Sequence, residues 1–235
     1  MLKGKTIIVT GAASGIGRVW AERFSEEGAI VYAADINTDA LATLSTDIRQ
    51  LVVDVAEASA VKEMVETAVT ETGRLDVLYN NAGLGYGHTI EDSPDGAFEH
   101  HIAVHLFGCV NGMRAAIPTM RAQNFGRIIN TISRAAEVGQ PRTSAYSAAK
   151  AAMWSTSRVA ARECSDADIL VNMLIPGPTN TSIWGQNRPE LQSPEVTWPT
   201  AKMLATLPTG GPSGKVFWNE KEYPLFDPAN FPNAG

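Results

Sequence analysis

Within residues 6–83, short β-branched apolar runs alternate with amphipathic helical stretches four times, a rhythm that few folds accept. Thr6–Thr10 reads as a buried strand, followed by the glycine-rich turn Gly11–Gly17 and a helix over Arg18–Glu27. Helical spacing turns Val19, Trp20, Ala21 and Phe24 inward, and Gly28 supplies the C-cap. Ala29–Ala34 is expected as the second strand, ending in Asp35, and Thr38–Arg49 as the second helix, capped by Asn37 or Thr38. Leu51–Val53 is expected as the third strand, ending in Asp54, and Ala58–Thr72 as the third helix, closed by Gly73. Leu75–Tyr79 then leads into Asn80-Asn81-Ala82-Gly83. Apolar strands joined by helices imply right-handed βαβ units. The pattern therefore predicts an α/β, doubly wound parallel sheet with helices on both faces.

The rhythm continues with a long helix over Asp95–Gln123, broken or kinked near Pro118, and a fifth strand over Arg127–Ile132. Ser144–Glu163 reads as a helix, Ile169–Ile175 as a sixth strand stopped by Pro176-Gly177, and Lys215–Trp218 as a seventh. No repeat or linker interrupts the chain, so residues 1–235 are expected to form one domain. A lid region over 182–207 and an irregular tail over 220–235 complete it.

Composition mainly excludes. A formal net charge of −6 without a basic cluster argues against nucleic acid or an anionic membrane as partner. No apolar run is long enough to span a bilayer, and the N-terminus has no signal-peptide pattern, so a cytoplasmic location is expected. Cys109 and Cys164 lie in helical stretches without a C-x-x-C and read as free, partly buried thiols. His88, His100, His101 and His105 come without H-E-x-x-H, so no metal site is expected.

Gly11, Gly15 and Gly17 sit between the first strand and first helix. Such glycines let the backbone approach a pyrophosphate, and the helix N-terminus offers free N–H groups. Asp35, closing the second strand, can accept from both ribose hydroxyls of NAD and would repel a 2′-phosphate. Neither Ser14 nor Ile36 offers a cation for that phosphate, so NAD is expected rather than NADP. The alternative for Asp35 is a cap on the next turn. Asp54 closes its strand in the same manner and could meet the adenine amino group or simply cap the following helix.

In Thr143-Ser144-Ala145-Tyr146-Ser147-Ala148-Ala149-Lys150, helical periodicity puts Tyr146 and Lys150 one turn apart on one face. An ammonium beside a phenol favours phenolate, lowering the Tyr pKa towards the range useful for general acid–base chemistry.

Taken together, Thr10-Gly11-x-x-x-Gly15-x-Gly17, Asn80-Asn81-Ala82-Gly83, Ser133, Tyr146-x-x-x-Lys150 and Asn172-x-x-x-Pro176-Gly177-x-x-x-Thr181 resemble the short-chain dehydrogenase/reductase family over roughly residues 5–181. The resemblance implies a Rossmann-like sheet of about seven strands. It also implies an NAD-dependent oxidoreductase interconverting a secondary alcohol and a ketone. Tyr146 would be the general acid–base. Lys150 would lower its pKa and hold the nicotinamide ribose, and Ser133 would bond the same substrate oxygen. Cofactor contacts are expected from Gly11, Ser14, Gly15, Ile16 and Gly17, and from Asp35, Ile36, Asp54 and Val55. Further contacts are expected from Asn81, Ala82, Gly83, Tyr146, Lys150, Pro176, Gly177, Thr179 and Thr181. Family members commonly form homodimers or homotetramers, and the small-residue run Ala148–Ala161 suits either such pairing or an internal core.

One position departs from the family pattern. Where an Asn completes the usual tetrad, this chain reads Val104-His105-Leu106-Phe107-Gly108. His105 could act as a titratable relay, or as a structural substitute that bonds a backbone carbonyl. The loops beyond the strand ends supply Tyr86, His88, Glu137, Val138, Gln140, Arg142, Ile183 and Trp184 as a mixed wall for a small-to-medium hydrophobic substrate. Two other classes compete: a non-catalytic dinucleotide-binding protein, and a non-redox lyase or dehalogenase on the same scaffold. The intact glycine loop, Ser133, Tyr146 and Lys150 argue against both.

Overall fold

The computed structural model describes residues 2–85 and 87–230. Parallel pairing dominates an eight-stranded sheet of order β3-β2-β1-β4-β5-β6-β7-β8. Its strands are β1 (Thr6–Thr10), β2 (Ile30–Asp35), β3 (Arg49–Val52), β4 (Val77–Asn80), β5 (Gly126–Thr131), β6 (Ile169–Leu174), β7 (Val216–Trp218) and β8 (Lys221–Glu222). Only β7 and β8 run antiparallel. The expected doubly wound α/β architecture is present, with eight strands rather than seven. The additional strand lies within the expected irregular tail. It is joined to β7 by a two-residue hairpin whose Asn219 and Glu220 both have left-handed backbones (φ 49 and 62).

Strand alternation builds two cores. On β1, Ile8 faces one cluster with Met64, Val65, Met113 and Met153, while Ile7 and Val9 face another with Trp20, Phe24, Leu204 and Phe217. The first cluster is covered by α3 (Ala58–Thr72), α5 (Gly108–Ala122) and α7 (Ser144–Glu163), the second by α1 (Gly15–Glu26) and α8 (Trp198–Ala205). α8 falls inside the expected lid, yet Ala201, Leu204 and Ala205 are buried and Tyr79 donates to the Ala201 carbonyl at 2.6 Å. That part of the expected lid region, 198–205, is therefore packed in the second core.

Three other expectations shift. The second helix, α2, covers only Thr38–Leu41, capped by Asn37, whose Oδ1 accepts from the Ala40 amide. Short polar side chains then compete with the helix: the Thr43 hydroxyl donates to the Ala40 carbonyl. The third strand starts earlier, at Arg49, and lies at the exposed edge of the sheet. The long helix is also composite. After α4 (Ala97–His101), a π-helical turn spans Ile102–Phe107 before α5 begins, and α5 runs through Pro118 to Ala122. The irregularity thus falls around His105, not at Pro118. Cys109 and Cys164 are free and fully buried. Among the described residues, no helix is long and apolar enough to cross a membrane.

Candidate active site

Strand order reverses at β1, which pairs with β2 on one side and β4 on the other, so a crevice opens beyond their C-terminal ends. The glycine turn lies there. A Cβ at Gly17 would fall 2.2 Å from the Gly11 carbonyl oxygen, and one at Gly11 would fall 2.7 Å from the Ala82 Cα. No side chain fits either place, and α1 starts at Gly15 with its first amides unshared by the helix. The turn fits a dinucleotide pyrophosphate by shape and by donor chemistry. Asn81 locks it against the sheet. Its Nδ2 donates to the Thr10 carbonyl at 3.0 Å, and its Oδ1 accepts from the Thr131 hydroxyl at 3.2 Å.

Asp35 stands at the tip of β2 and braces the same turn. One oxygen accepts from the Ala13 amide and the other from the Asn37 amide, each at 3.0 Å. Ile36 beside it is 69% exposed. Asp54 is exposed and accepts from the Ala56 amide in a turn that ends before α3, which starts at Ala58 without a side-chain cap, so the helix-capping alternative is not what the structure shows. Val55 is buried, and its carbonyl accepts from Asn111 on α5 at 3.0 Å.

Tyr146 and Lys150 share one face of α7 as periodicity requires. Ser133, just past the end of β5, lies near the Tyr146 hydroxyl and favours its phenolate form. The Ser133 Oγ also accepts from the Ala135 amide at 3.1 Å, which fixes its direction. Lys150 is buried, and its ammonium donates to the Thr131 carbonyl at 2.7 Å. Burial pushes its pKa down to about 8. The expected depression of the Tyr146 pKa is not found in this state. Burial raises it above the ordinary tyrosine range, and Ser133 opposes that rise only in part. The reason is geometric: the ammonium, 5.5 Å from the centre of the phenol ring, is aimed at a backbone carbonyl.

His105 sits beside this group, its ring 5.2 Å from that of Tyr146 and nearly perpendicular to it. Its Nε2 lies 2.9 Å from the Leu84 carbonyl oxygen, while its Nδ1 is buried without a hydrogen-bond partner. Burial, and then the nearby Lys150 charge, hold its pKa well below the ordinary histidine range, so the ring is neutral. Of the two readings open from sequence, the backbone-bonding one matches the contact made. His101, one turn earlier, stacks on it at 5.8 Å.

The strand-six end is held by its own loop. Gln192 Nε2 donates to the Pro176 carbonyl at 2.5 Å and to the Thr179 hydroxyl at 3.0 Å, so the buried Thr179 side chain turns towards the loop base. Gly177 has a left-handed backbone (φ 77). Thr181 packs its methyl group against Gly15, and the Ser182 and Ser14 hydroxyls meet at 3.2 Å, which seats the segment after β6 on the glycine turn. Ile183 lies on Gly85, and Trp184 donates to the Thr179 carbonyl at 2.7 Å. Of the expected wall, Val138 and Gln140 are exposed, His88 bridges to Thr143, and Arg142 donates to the Gly87 carbonyl. Tyr86 lies outside the described residues. Glu137 does not belong to the wall: its side chain is fully buried, because three donors of the C-terminal tail and Arg134 hold it there.

Sequence reasoning overlooked a buried amide relay behind the site. Asn80 Nδ2 donates to Asn130 Oδ1, and Asn130 Nδ2 donates to the Ser157 hydroxyl, both at 2.8 Å. It tethers β4 and β5 to α7. The only local signal is a polar residue at a position where strand alternation demands an apolar one.

The short-chain dehydrogenase family model matches residues 5–192. The chain belongs to the short-chain dehydrogenase family. It is 36% identical over 180 residues to a 3-ketodihydrosphingosine reductase of Bacteroides thetaiotaomicron, covering 77% of this chain and 66% of that protein. A 3-oxoacyl-[acyl-carrier-protein] reductase of Thermotoga maritima is 34% identical over 183 residues, covering 75% of this chain and 74% of the other. A 2-dehydro-3-deoxy-L-rhamnonate dehydrogenase (NAD(+)) of Sphingomonas is 32% identical over 187 residues, covering 78% and 75%. The crystal structure of a 3-ketoacyl-(acyl-carrier-protein) reductase from Brucella melitensis complexed with NADH superposes with a TM-score of 0.86 at 25% identity, over 92% of this chain and 97% of that one. These relatives are oxidoreductases, and the glycine turn and Tyr146–Lys150 pair of this chain lie within the matched residues.

Proposed function

We propose that this chain is an NAD-dependent oxidoreductase that interconverts a secondary alcohol and a ketone, with Tyr146 as general acid–base. One observation carries the reading. The Tyr146 phenol, beside Ser133, lies one helical turn from a buried ammonium whose hydrogen bond goes to a backbone carbonyl. Bound nicotinamide dinucleotide supplies the hydride acceptor or donor. In oxidation, the substrate hydroxyl passes its proton to the Tyr146 phenolate as its carbon loses hydride. In reduction, the phenol returns the proton to the carbonyl oxygen. Ser133 donates to that oxygen and steadies its developing charge. In this reading Lys150 favours the phenolate by charge during turnover, whereas in the structure Ser133 alone opposes the burial that raises the Tyr146 pKa. His105, neutral, holds the Leu84 backbone.

NAD is favoured over NADP by Asp35, whose carboxylate is held by two amides at the tip of β2 beside an exposed Ile36. The cofactor named for the Sphingomonas relative and the NADH of the Brucella structure agree with it. Ile183, Trp184 and Val138 suit a small-to-medium hydrophobic substrate. Self-association through α5 and α7, where Val159 is half exposed, belongs to the same reading and is checked by light scattering.

The test is nicotinamide absorbance over a panel of secondary alcohols and ketones with NAD(H) and NADP(H). Tyr146→Phe should lose about 10²–10⁴-fold in kcat/KM. A Tyr146→Phe enzyme as active as wild type on a turned-over substrate would remove Tyr146 from the chemistry, and a preference for NADP would remove the role given to Asp35.

A further inference from the structure

The Glu137 side chain, on the turn after Ser133, is wholly withdrawn from water, and all its partners but one come from the C-terminal tail. Its carboxylate accepts from the Tyr223 hydroxyl at 2.5 Å, the Phe226 amide at 2.7 Å, the Asn230 side-chain amide at 3.1 Å and Arg134 Nε at 3.3 Å. Burial alone would raise the pKa of this carboxyl, but those donors together hold it below the ordinary range. The Arg134 guanidinium in turn lies 5.5 Å from the Trp218 ring and 5.6 Å from the Tyr223 ring.

The tail bends to reach this carboxylate. Phe226 adopts a left-handed backbone (φ 65), a conformation that a bulky residue rarely takes and that persists only where surrounding contacts impose it. The strained residue is the one whose amide points at Glu137. Its ring packs edge-on against Trp154 at 4.8 Å, two helical turns beyond Tyr146 on α7.

Glu137 belongs to α6 (Ala135–Val138), the single turn that follows Ser133. Backbone bonds join the two: the Ala136 amide donates to the Ser133 carbonyl, and the Glu137 and Val138 amides donate to the Arg134 carbonyl. A carboxylate anchored at the end of one rigid turn sets the direction of the hydroxyl at its start.

We infer that Glu137 is a positioning residue for the Ser133 hydroxyl, and that the tail from Tyr223 to Asn230 is the strap through which it acts. The inference rests on the proposed role of Ser133 at the substrate oxygen. The strap does not touch substrate in this account. It converts the fold of the last residues into the aim of a donor, and a 1 Å error in such an aim can cost about 10²-fold in rate.

The test uses the full chain with Glu137→Gln, which keeps the volume and one acceptor, Tyr223→Phe, and the double variant. Each single change should lower kcat by about tenfold, with KM for the dinucleotide within about twofold, because the glycine turn is untouched. The double variant should be no worse than the weaker single one, because both break the same link. Amide exchange of residues 133–138, followed without substrate, should quicken in all three while that of residues 11–17 holds. Unchanged exchange at 133–138 would overturn the inference, as would faster exchange with unaltered kcat. Because exchange is read without turnover, a wild-type protein inactive on every alcohol and ketone would defeat the proposed function separately from the strap.

Discussion

At the N-terminal rim of the sheet, Asp76 is fully buried and every oxygen is answered. Oδ1 accepts from Lys5 at 2.9 Å and Arg74 at 2.5 Å, and Oδ2 accepts from the Thr6 amide at 2.9 Å and Arg74 Nε at 2.7 Å. Nearby, Arg127 pairs with Asp168 at 3.1 Å and donates to the Leu207 carbonyl. At the C-terminal rim of the same sheet, Lys150 is just as buried but finds only the Thr131 carbonyl, and His105 Nδ1 finds nothing. Burying a charge without a counter-charge costs several kcal/mol, and folding alone gives no reason to keep it. The buried charges of the N-terminal rim are paired, although Thr6 Oγ1 there lacks a partner as His105 Nδ1 does, while the unpaired Lys150 charge lies at the proposed site.

Three substitutions sharpen that contrast. The largest effect is expected from Lys150→Met, which should cut kcat/KM by more than about 10²-fold and yet stabilise the protein by about 1–3 kcal/mol at neutral pH. The sign follows from a folded-state pKa of about 8 against an ordinary 10.5. The unfolded chain binds the proton more tightly, so the penalty is present in full below about pH 8 and fades as pH rises towards 10.5. Denaturant midpoints of variant and wild type should therefore converge in alkali. A Lys150→Met protein less stable than wild type at neutral pH would break the contrast.

Next comes Asp76→Ala at the opposite rim. It should cost about 2–4 kcal/mol with little effect on the kinetics, because it strands the Thr6 amide and two cations. Burial raises the Asp76 pKa, but the bonds from Arg74, Lys5 and Thr6 outweigh it and leave the group below its ordinary range. Its contribution is thus present above the unfolded carboxylate pKa and lost as pH falls through the folded value. Urea unfolding at neutral and acid pH should show the gap between variant and wild type closing in acid.

The smallest effect is expected at His105. With its pKa held far below the usual range, the ring carries no charge near neutrality, and His105→Asn should keep kcat/KM within about threefold, the scale of one neutral hydrogen bond. The pH–rate profile should stay in place. A shifted limb would mean that His105 titrates during turnover, and that the C-terminal rim uses its second unpaired group as a relay.

Much of this was legible from residues alone where local chemistry leaves few choices. The glycine turn, the Tyr146–Lys150 face and the strand rhythm depend on spacings of a few residues, and they stand where periodicity puts them. Glu137 went the other way. As an isolated acidic residue on a loop near the strand ends it read as pocket wall, because nothing within several residues reveals a partner 86 positions later. α2 was overextended because its polar tail fits a helical pattern until Thr43 bonds back to Ala40. The exposed character of β3 depends on having no ninth strand beside it, which strand composition does not record.

The sequence by itself determined the family, the sheet and the identity of the groups at the strand ends, since each follows from side-chain type at short, fixed spacing. Only the tertiary structure decided their states: that Lys150 faces a carbonyl, that Tyr146 is raised rather than lowered, that His105 is neutral and that the tail closes on Glu137. A proton's affinity depends on burial and on charges brought close by folding, and those distances exist only once the chain has packed.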